Sequence, residues 1–225
     1  MGTDRSSDPE RGFEQLAGEP SPPLDALMLA LAAEFRDVDR QSALAILDRL
    51  GRELVDCLSD KPRAPHRDAA ALRFVLAERN GFTGSTYAYE DPANGMLDLV
   101  LERRAGLPIT LSVIYVEVAA RAGIELAGVG LPGHFVVGHF RTDPPLLLDP
   151  FDGGALIAGT PPRAVPWSPH DIALRMLNNL ARSYGRRGDL ARALHAAELR
   201  TLLPAGGELR EQQMVERAAL LARLN

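Results

Sequence analysis

The chain has 225 residues, of which 46% are hydrophobic, enough apolar surface for the core of one compact domain with an appendage. Lys and Arg together number 25 against 30 Asp and Glu, which gives a formal net charge of −5. Without a basic excess we expect no nucleic-acid partner. Cys57 is the sole cysteine, which excludes an intrachain disulfide and a thiolate zinc site and favours a reducing cytoplasm.

The N-terminal segment, residues 1–23, mixes charged residues with Gly, Ser and Pro and lacks the apolar run of a signal peptide. Its composition predicts a flexible leader. No later stretch approaches the roughly 20 apolar residues that span a bilayer, so we expect no membrane segment.

The region after the leader has the apolar periodicity of amphipathic helices. Leu, Ile, Val and Ala recur at three- and four-residue spacings in Leu24–Phe35, Ser42–Leu58 and Ala69–Glu78. This first third of the chain is therefore predicted to be helical.

Two further helices are predicted from proline and glycine positions. Asp91-Pro92 is typical of the cap and first turn of a helix over Ala93–Arg104, which Gly106 would end. Pro108 begins the next helix, over Ile109–Ala122, whose apolar stripe predicts a largely buried element.

The pattern changes after this helix to short apolar runs separated by Gly, Pro and Asp. Four strands are predicted, at Leu126–Leu131, His134–Phe140, Leu146–Leu148 and Ala155–Ile157. A small antiparallel sheet is the simplest arrangement of these runs. The Pro-rich stretch that follows, residues 160–169, predicts a linker.

The C-terminal region, residues 168–225, is predicted to be a helical tail. Met176–Arg186 and Leu190–Leu203 form a helical hairpin, and Glu208–Leu224 forms a last helix. Residues of the hairpin resemble a tetratricopeptide unit in type and spacing: Leu177, Leu180, Tyr184, Gly188, Ala193 and Pro204.

His134 and Asp149 are the candidates for chemistry in the predicted sheet. His134 begins one strand and Asp149 follows 15 residues later, at the end of the neighbouring strand. If these strands pair, the carboxylate can hold the imidazole in one tautomer, as in a general base. The plainer interpretation is a core or edge histidine and a strand-ending turn. The upstream helix start, where a dipole would assist a nucleophile, favours the chemical one.

Three segments resemble the motifs of the SirB family of transglutaminase-like bacterial proteins. They are Asn94–Arg104 followed by Gly106–Ser112, then Pro132-Gly133-His134-Phe135, and then Leu148–Gly154. The resemblance extends over roughly Leu24 to Asn225, including the tetratricopeptide-like tail. It implies a papain-like domain in which active members use a Cys-His-Asp triad with cysteine at a helix start.

By this resemblance His134 and Asp149 match the triad's histidine and aspartate, but the helix start carries no cysteine. Thr110 and Ser112 are the hydroxyl candidates there, although first-turn capping or backbone hydrogen bonding is the simpler role for both. Cys57 lies in an earlier predicted helix among apolar neighbours and is expected to be a small buried hydrophobe.

Supporting and competing patterns are weaker. Asn94 and Gly133 are candidates to support the His134 loop, although Asn94, Asp98 and Glu102 form a polar stripe that is typical of a solvated helix face. The glycines of residues 128–133 match the bare dinucleotide pattern, but a strand follows where a helix is required, so no cofactor is expected.

A metal site would draw its ligands from His134, His139, His170 and Asp149. No helical spacing brings two of them to one face, and the offset of five from His134 to His139 separates them across a regular strand. We therefore expect no metal.

The sequence predicts an α+β, transglutaminase-like domain over residues 24–160 and a helical tail over 168–225. Two functions remain open. One is a non-catalytic or impaired homologue that binds a protein partner through its cleft or tail. The other is an acyl-transfer enzyme, a hydrolase or transamidase, with His134 as base, Asp149 orienting it, and Thr110 or Ser112 as nucleophile.

Overall fold

The computed structural model describes residues 11–59, 62–86, 89–159 and 164–224. The chain divides into two compact units. One contains the residues up to Gln41 together with those from Pro169 onward, and the other contains Ser42–Ser168. The sequence predicts these boundaries at residues 24 and 160 instead. Residues 160–163 of the expected linker lie outside the described residues.

The elements of the described residues are as follows. The helices are α1 (Phe13–Ala17), α2 (Leu24–Ala33), α3 (Arg40–Leu58), α4 (Pro65–Leu72), α5 (Leu97–Arg103), α6 (Pro108–Arg121), α7 (Pro169–Arg186), α8 (Leu190–Arg200) and α9 (Gly207–Leu224). The strands are β1 (Thr83–Gly84), β2 (Ala105–Gly106), β3 (Leu126–Leu131), β4 (His134–His139), β5 (Leu146–Asp149) and β6 (Ala155–Leu156). Within the described residues, no helix is both long and apolar enough to cross a membrane.

Part of the expected flexible leader is an ordered helix. α1 buries Phe13, Leu16 and Ala17, whose spacing of three and four residues puts them on one face. The helix packs against α2, and His170 of α7 donates from Nε2 to the carbonyl of Ala17 at 3.1 Å. A flexible leader is therefore wrong for this stretch, because its apolar face is buried by the helices around it. Residues 1–10 lie outside the described residues.

The N-terminal and C-terminal helices form one unit through aromatic and apolar contacts. α2 packs against α7, which in turn packs against α8, and α8 packs against α9. Phe35, just after α2, stacks on Tyr184 of α7 with ring centroids 5.5 Å apart. α2, which the sequence predicts as part of the transglutaminase-like domain, therefore lies with the helical tail.

The other unit is built around α6. Most residues of this helix are buried, including the polar Thr110, Ser112 and Glu117, and it packs against β3 and β4. The fold is α+β, as the sequence predicts. Trp167 extends this core, because its ring meets Phe135 of β4 edge-on at 5.3 Å.

The sheet is antiparallel with strand order β3-β4-β5-β6. Leu131 pairs with His134, so only Pro132 and Gly133 lie in the turn between β3 and β4. Gly133 has φ of +71°, in the left-handed region that the second central residue of a type II turn requires. This turn fixes the start of β4 and so the position of His134, its first residue.

The predicted helix over residues 93–104 is divided in the structure. A 3₁₀ turn, Pro92–Gly95, is separated from α5 by Met96, which is extended with φ −95° and ψ 115°. α5 ends at Arg104 in the left-handed conformation, φ 59°, and not at Gly106 as the sequence predicts. Gly106 has a packing role, because a Cβ at this position would lie 2.7 Å from the side chain of Val100.

The predicted helix over residues 69–78 is also divided, into α4 and a π-helical stretch, Arg73–Arg79. Asn80 follows it, is buried, donates to Glu53 Oε2 at 2.8 Å and accepts from Arg49 Nη1 at 3.2 Å. Burial alone would raise the pKa of Glu53, but hydrogen bonds from Asn80 and Arg49 outweigh it and hold that pKa below its ordinary value.

Candidate functional site

His134 and Asp149 lie at the ends of neighbouring strands and are joined by a hydrogen bond. Val137 of β4 pairs with Leu148 of β5, which sets Asp149 opposite Val136 and on the same face as His134. His134 Nε2 donates to Asp149 Oδ2 at 2.7 Å. Strand register thus brings together two side chains that are 15 residues apart in the sequence.

The backbone orients the Asp149 carboxylate. Its Oδ1 accepts hydrogen bonds from the backbone N–H of Phe151 at 2.9 Å and of Asp152 at 3.4 Å. Asp149 thereby caps the 3₁₀ turn Pro150–Asp152 that follows β5. With Oδ1 held by the turn, Oδ2 is directed at His134, so the imidazole has a preorganised acceptor.

The pair lies at a partly open surface beside two aromatic rings. The side chains of His134 and Asp149 are 31% and 19% exposed. Phe151 meets the His134 ring edge-on at 6.3 Å, and Tyr89, itself half exposed, meets Phe151 edge-on at 6.3 Å. We call Tyr89 and Phe151 the aromatic wall. Gly84 allows Phe151 this position, because a Cβ there would lie 2.6 Å from its ring.

The two candidate hydroxyls are completely buried in the first turns of α6. Thr110 donates from Oγ1 to the backbone carbonyl of Asn94 at 3.0 Å, and the same carbonyl accepts the backbone N–H of Leu107 at 3.1 Å. The Ser112 hydroxyl makes no hydrogen bond with the described residues. The structure therefore brings Asp149, and not Ser112, to His134.

Asn94 lies below this region as part of the core. Asn94 and Asp98 are both buried, and only Glu102 of the polar stripe is exposed. A solvated face is therefore wrong for the first two positions, since the start of α6 packs over them: α5 and the Pro92–Gly95 turn both contact α6. The Asn94 carbonyl thus bonds to the start of α6, and Gly133 lies in the turn directly before His134. That these two residues support the His134 loop stays a prediction.

A sequence comparison identifies the domain that carries this pair. The sequence model of the transglutaminase-like superfamily matches residues 41–161, more than half of the chain. The chain belongs to the transglutaminase-like superfamily. The matched range contains α6, the sheet and the His134–Asp149 pair, and its start agrees with the unit boundary at Gln41.

Curated relatives extend the similarity beyond this domain. A UPF0162 protein of Xylella fastidiosa strain 9a5c is 33% identical over 189 residues, which are 82% of this chain and 62% of the relative. A UPF0162 protein of Pseudomonas aeruginosa is 33% identical over 141 residues, 63% of this chain and 51% of the relative. The F-box only protein 21 of Mus musculus is 34% identical over 82 residues, 36% of this chain and 13% of the relative. The chain thus spans about half to three fifths of the bacterial relatives. No solved structure matches the chain.

Tyr115, in the transglutaminase-like domain, lies close to the Asp149 side of the pair, which the sequence does not predict. Its hydroxyl is buried and has no hydrogen-bond partner among the described residues. Burial raises the pKa of Tyr115 well above its ordinary value, Arg73 opposes this rise, and the Asp149 charge adds to it. A Cβ at Gly154 would lie 2.9 Å from the hydroxyl oxygen, so Tyr115 supports the loop after Asp149 from below. The one signal in the sequence is that Tyr115 has a polar hydroxyl within the otherwise aliphatic stripe of the helix after Pro108.

The other histidines weighed as metal ligands have separate surroundings. His139 is buried, accepts the Arg141 backbone N–H at Nδ1, and donates from Nε2 to Asp68 at 3.3 Å. Asp68 is also bound by Arg63 at 3.0 Å, so this second His-Asp pair is part of a closed structural network. His170 bonds to a backbone carbonyl in the helical unit. Within the described part of the chain, no three His, Cys, Asp or Glu residues are grouped to hold a metal.

Cys57 is only partly buried, in contrast to the expectation of a buried hydrophobe. It lines a surface cavity with Phe74 and Arg67, where α3 meets the segment from α4 into the π-helical stretch. The apolar neighbours in its own helix predict burial, but the packing of that segment leaves the thiol at a groove. It does not replace the cysteine that α6 lacks.

Proposed function

We propose that this transglutaminase-like protein is non-catalytic and acts as a protein-binding or regulatory module. The observation that carries the proposal is the burial of both hydroxyls at the start of α6, where no cysteine is present. A nucleophile must reach its substrate, and neither Thr110 nor Ser112 has exposed surface.

The hydrogen bonding of the two hydroxyls supports the same conclusion. A hydroxyl nucleophile must give its proton to the base, but Thr110 gives its proton to the Asn94 carbonyl. Ser112 has no hydrogen-bond partner in the described residues, and therefore no base. Activating either group requires α6 to shift within a tightly packed core.

The surface at the pair favours recognition. A partly exposed imidazole oriented by Asp149 lies beside the aromatic wall of Tyr89 and Phe151. Tyrosine and other aromatic residues are enriched in protein interfaces, because a rigid ring supplies a large contact area at low entropic cost. We therefore expect a protein partner to contact Tyr89 and His134.

Acyl transfer is the second candidate, and the 2.7 Å His134–Asp149 bond is the observation that favours it. In this mechanism His134 takes the proton of the Thr110 or Ser112 hydroxyl while the oxygen attacks an acyl carbon. The bond from acyl carbon to leaving group breaks, the imidazolium protonates the leaving group, and water or an amine resolves the ester.

A kinetic comparison separates the two functions. Wild type, His134→Ala, Thr110→Val and Ser112→Ala are assayed with p-nitrophenyl acetate and with γ-glutamyl amides, and intact mass is recorded for an acyl adduct. We expect equal background rates and no adduct in all four. Turnover that disappears in His134→Ala and in one hydroxyl variant would overturn the proposal and favour acyl transfer.

The binding role is tested by crosslinking to partners with matched aromatic variants. Tyr89→Ala removes an exposed ring of the aromatic wall, and Phe74→Ala removes a comparably exposed ring from the π-helical stretch. We expect capture of a specific partner to be lost in Tyr89→Ala and kept in Phe74→Ala. Equal capture by both variants would exclude this surface.

Three narrower assignments are also proposals. We assign the chain to the SirB-type branch of the superfamily and its tail to a tetratricopeptide-like class. The antiparallel α7–α8 hairpin, with Gly188 at φ +77° in the turn, supports the second. The single cysteine supports a cytoplasmic location.

A further inference from the structure

The three C-terminal helices line a cavity that the proposed function does not use. Its volume is about 550 Å³, and its walls come from α7, α8 and α9. The polar residues that line it are Asn178, Arg182, Arg200, Gln212, Gln213 and Glu216. This size is within the range of ligand-binding pockets in proteins.

Gln213 is a buried amide without a partner. The residue is only 2% exposed, and neither its Nε2 nor its Oε1 forms a hydrogen bond with the described residues. Leaving both groups unpaired destabilises the fold, whereas leucine would fill a similar volume without this penalty. This chain therefore has an amide at a position of the cavity where folding alone favours an apolar side chain.

Arg200 adds an unpaired donor to the same cavity. It is 6% exposed, and its Nη1 donates to Asn178 Oδ1 at 2.8 Å and to Glu216 Oε2 at 2.6 Å. Its buried Nε–H has no partner among the described residues. The guanidinium is thus held in place by two side chains, and its buried Nε–H is left for a further acceptor.

The cavity carries an excess of positive charge. Arg200 and Arg182 contribute two cations, and Glu216 contributes one carboxylate. Arg182 is exposed one helical turn after Asn178 and has no ion-pair partner in the described part of the chain. An anionic group entering the cavity is therefore attracted by an exposed arginine and a buried one.

We propose that this cavity binds a peptide segment that carries an acidic residue. Its carboxylate accepts hydrogen bonds from Arg200 Nε and pairs with Arg182. A neighbouring peptide group satisfies Gln213, because its carbonyl accepts from Nε2 and its N–H donates to Oε1. A carboxylate alone leaves Oε1 unpaired, since it has no proton to donate.

The test is a titration of the ¹⁵N-labelled full chain followed by NMR, which observes the Arg Nε–H and Gln amide signals directly. The probes are Ac-Gly-Glu-Gly-NH₂, its neutral isostere Ac-Gly-Gln-Gly-NH₂, and glutarate, which has carboxylates but no peptide group. We expect the Glu peptide to shift the Arg200 and Gln213 signals saturably. Its affinity should exceed that of either other probe by about fivefold or more, because charge-assisted hydrogen bonds are the stronger ones.

Variants separate a ligand-binding role from a structural one. Gln213→Leu should keep or raise the melting temperature. It should also lower the affinity for the Glu peptide by about tenfold, the effect of leaving a peptide group of the ligand unpaired. Arg182→Gln should lower the affinity for the same peptide severalfold. Arg223→Gln makes the same charge change on α9 at a residue that does not line the cavity, so it should leave the affinity unchanged.

Four outcomes overturn the proposal. They are an absence of saturable shifts, equal binding of the two peptides, glutarate binding as tight as the Glu peptide, and a lower melting temperature in Gln213→Leu. None of these readouts involves His134 or the aromatic wall, so the result is independent of the function proposed for the transglutaminase-like domain.

Discussion

Replacing Thr110 with valine removes one hydroxyl and keeps the β-branched shape, so the variant tests the Thr110–Asn94 bond. That bond is 3.0 Å long and completely buried. The Asn94 carbonyl still accepts the Leu107 N–H after the substitution, so no acceptor is left unpaired. We expect a loss of about 1 kcal/mol in the free energy of unfolding, the typical value of one buried neutral hydrogen bond.

Ser112→Ala is the matched control, two residues further along the same helix. Its hydroxyl is buried and has no partner in the described residues, so removing it relieves an unsatisfied group. Alanine is also the better helix former, by about 0.5 kcal/mol. We expect a gain of about 0.5–1 kcal/mol, the opposite sign to Thr110→Val.

Thermal unfolding followed by tryptophan fluorescence measures the stability difference between the two variants in the compact unit that contains both residues. Trp167 is the single tryptophan, and it packs on Phe135 of β4 in the same unit as both hydroxyls. A difference of about 1.5–2 kcal/mol between the variants corresponds to about 3–8 °C in melting temperature for a chain of this size. Destabilisation by Ser112→Ala of more than about 1 kcal/mol would refute the reasoning, because the hydroxyl would then have a partner. A neutral Thr110→Val would refute it for the Asn94 bond.

Three further results are expected in the same domain. In Asp149→Asn the backbone N–H groups of Phe151 and Asp152 hold the amide oxygen, so an NH₂ donor replaces the carboxylate oxygen that accepts from His134 Nε2. The ¹⁵N spectra should then show a smaller fraction of the Nε2–H tautomer, and an unchanged fraction contradicts an orienting carboxylate. Glu53→Gln should destabilise the protein at pH 7, because the hydrogen bonds that lower the folded-state pKa of Glu53 favour its ionised form. This difference should begin to shrink near pH 4.5 and be lost as the pH falls through the lower folded-state pKa, which unfolding measured against pH would show. Gly84→Ala should lower the free energy of unfolding by about 1–3 kcal/mol and shift the His134 ring signals, since its Cβ would displace Phe151. Unshifted His134 signals would show that the position of Phe151 does not affect the imidazole.

Short-range sequence patterns predict many of the helices, strands and turns of this fold. Proline and glycine positions predict the buried helix after Pro108 and the turn before His134, because these residues restrict or extend the backbone angles wherever they occur. Strand alternation also predicts that His134 and Asp149 approach each other, since the period of two holds along any regular strand. These effects act within a few residues, so one sequence is enough to read them.

The sequence predictions that are wrong concern positions where residues distant in the sequence determine burial or packing. Asn94 and Asp98 have the spacing of a solvated stripe, but the start of α6 packs over them. Arg104, not Gly106, takes the left-handed position at the end of α5, and Gly106 instead packs closely against Val100. α1 has too few residues for a strong periodic signal and is ordered only by the helices that bury Phe13.

The sequence by itself determined the fold class, the His134 and Asp149 positions and the absence of a cysteine at the start of α6, because each follows from residue type and local period. Tertiary structure alone decided that Thr110 and Ser112 are buried and that Thr110 donates to Asn94. It alone also showed the unpaired Gln213 and Arg200 groups at the helical cavity. Burial and the pairing of polar groups depend on which segments meet in space, and residue spacing along one segment does not contain that information.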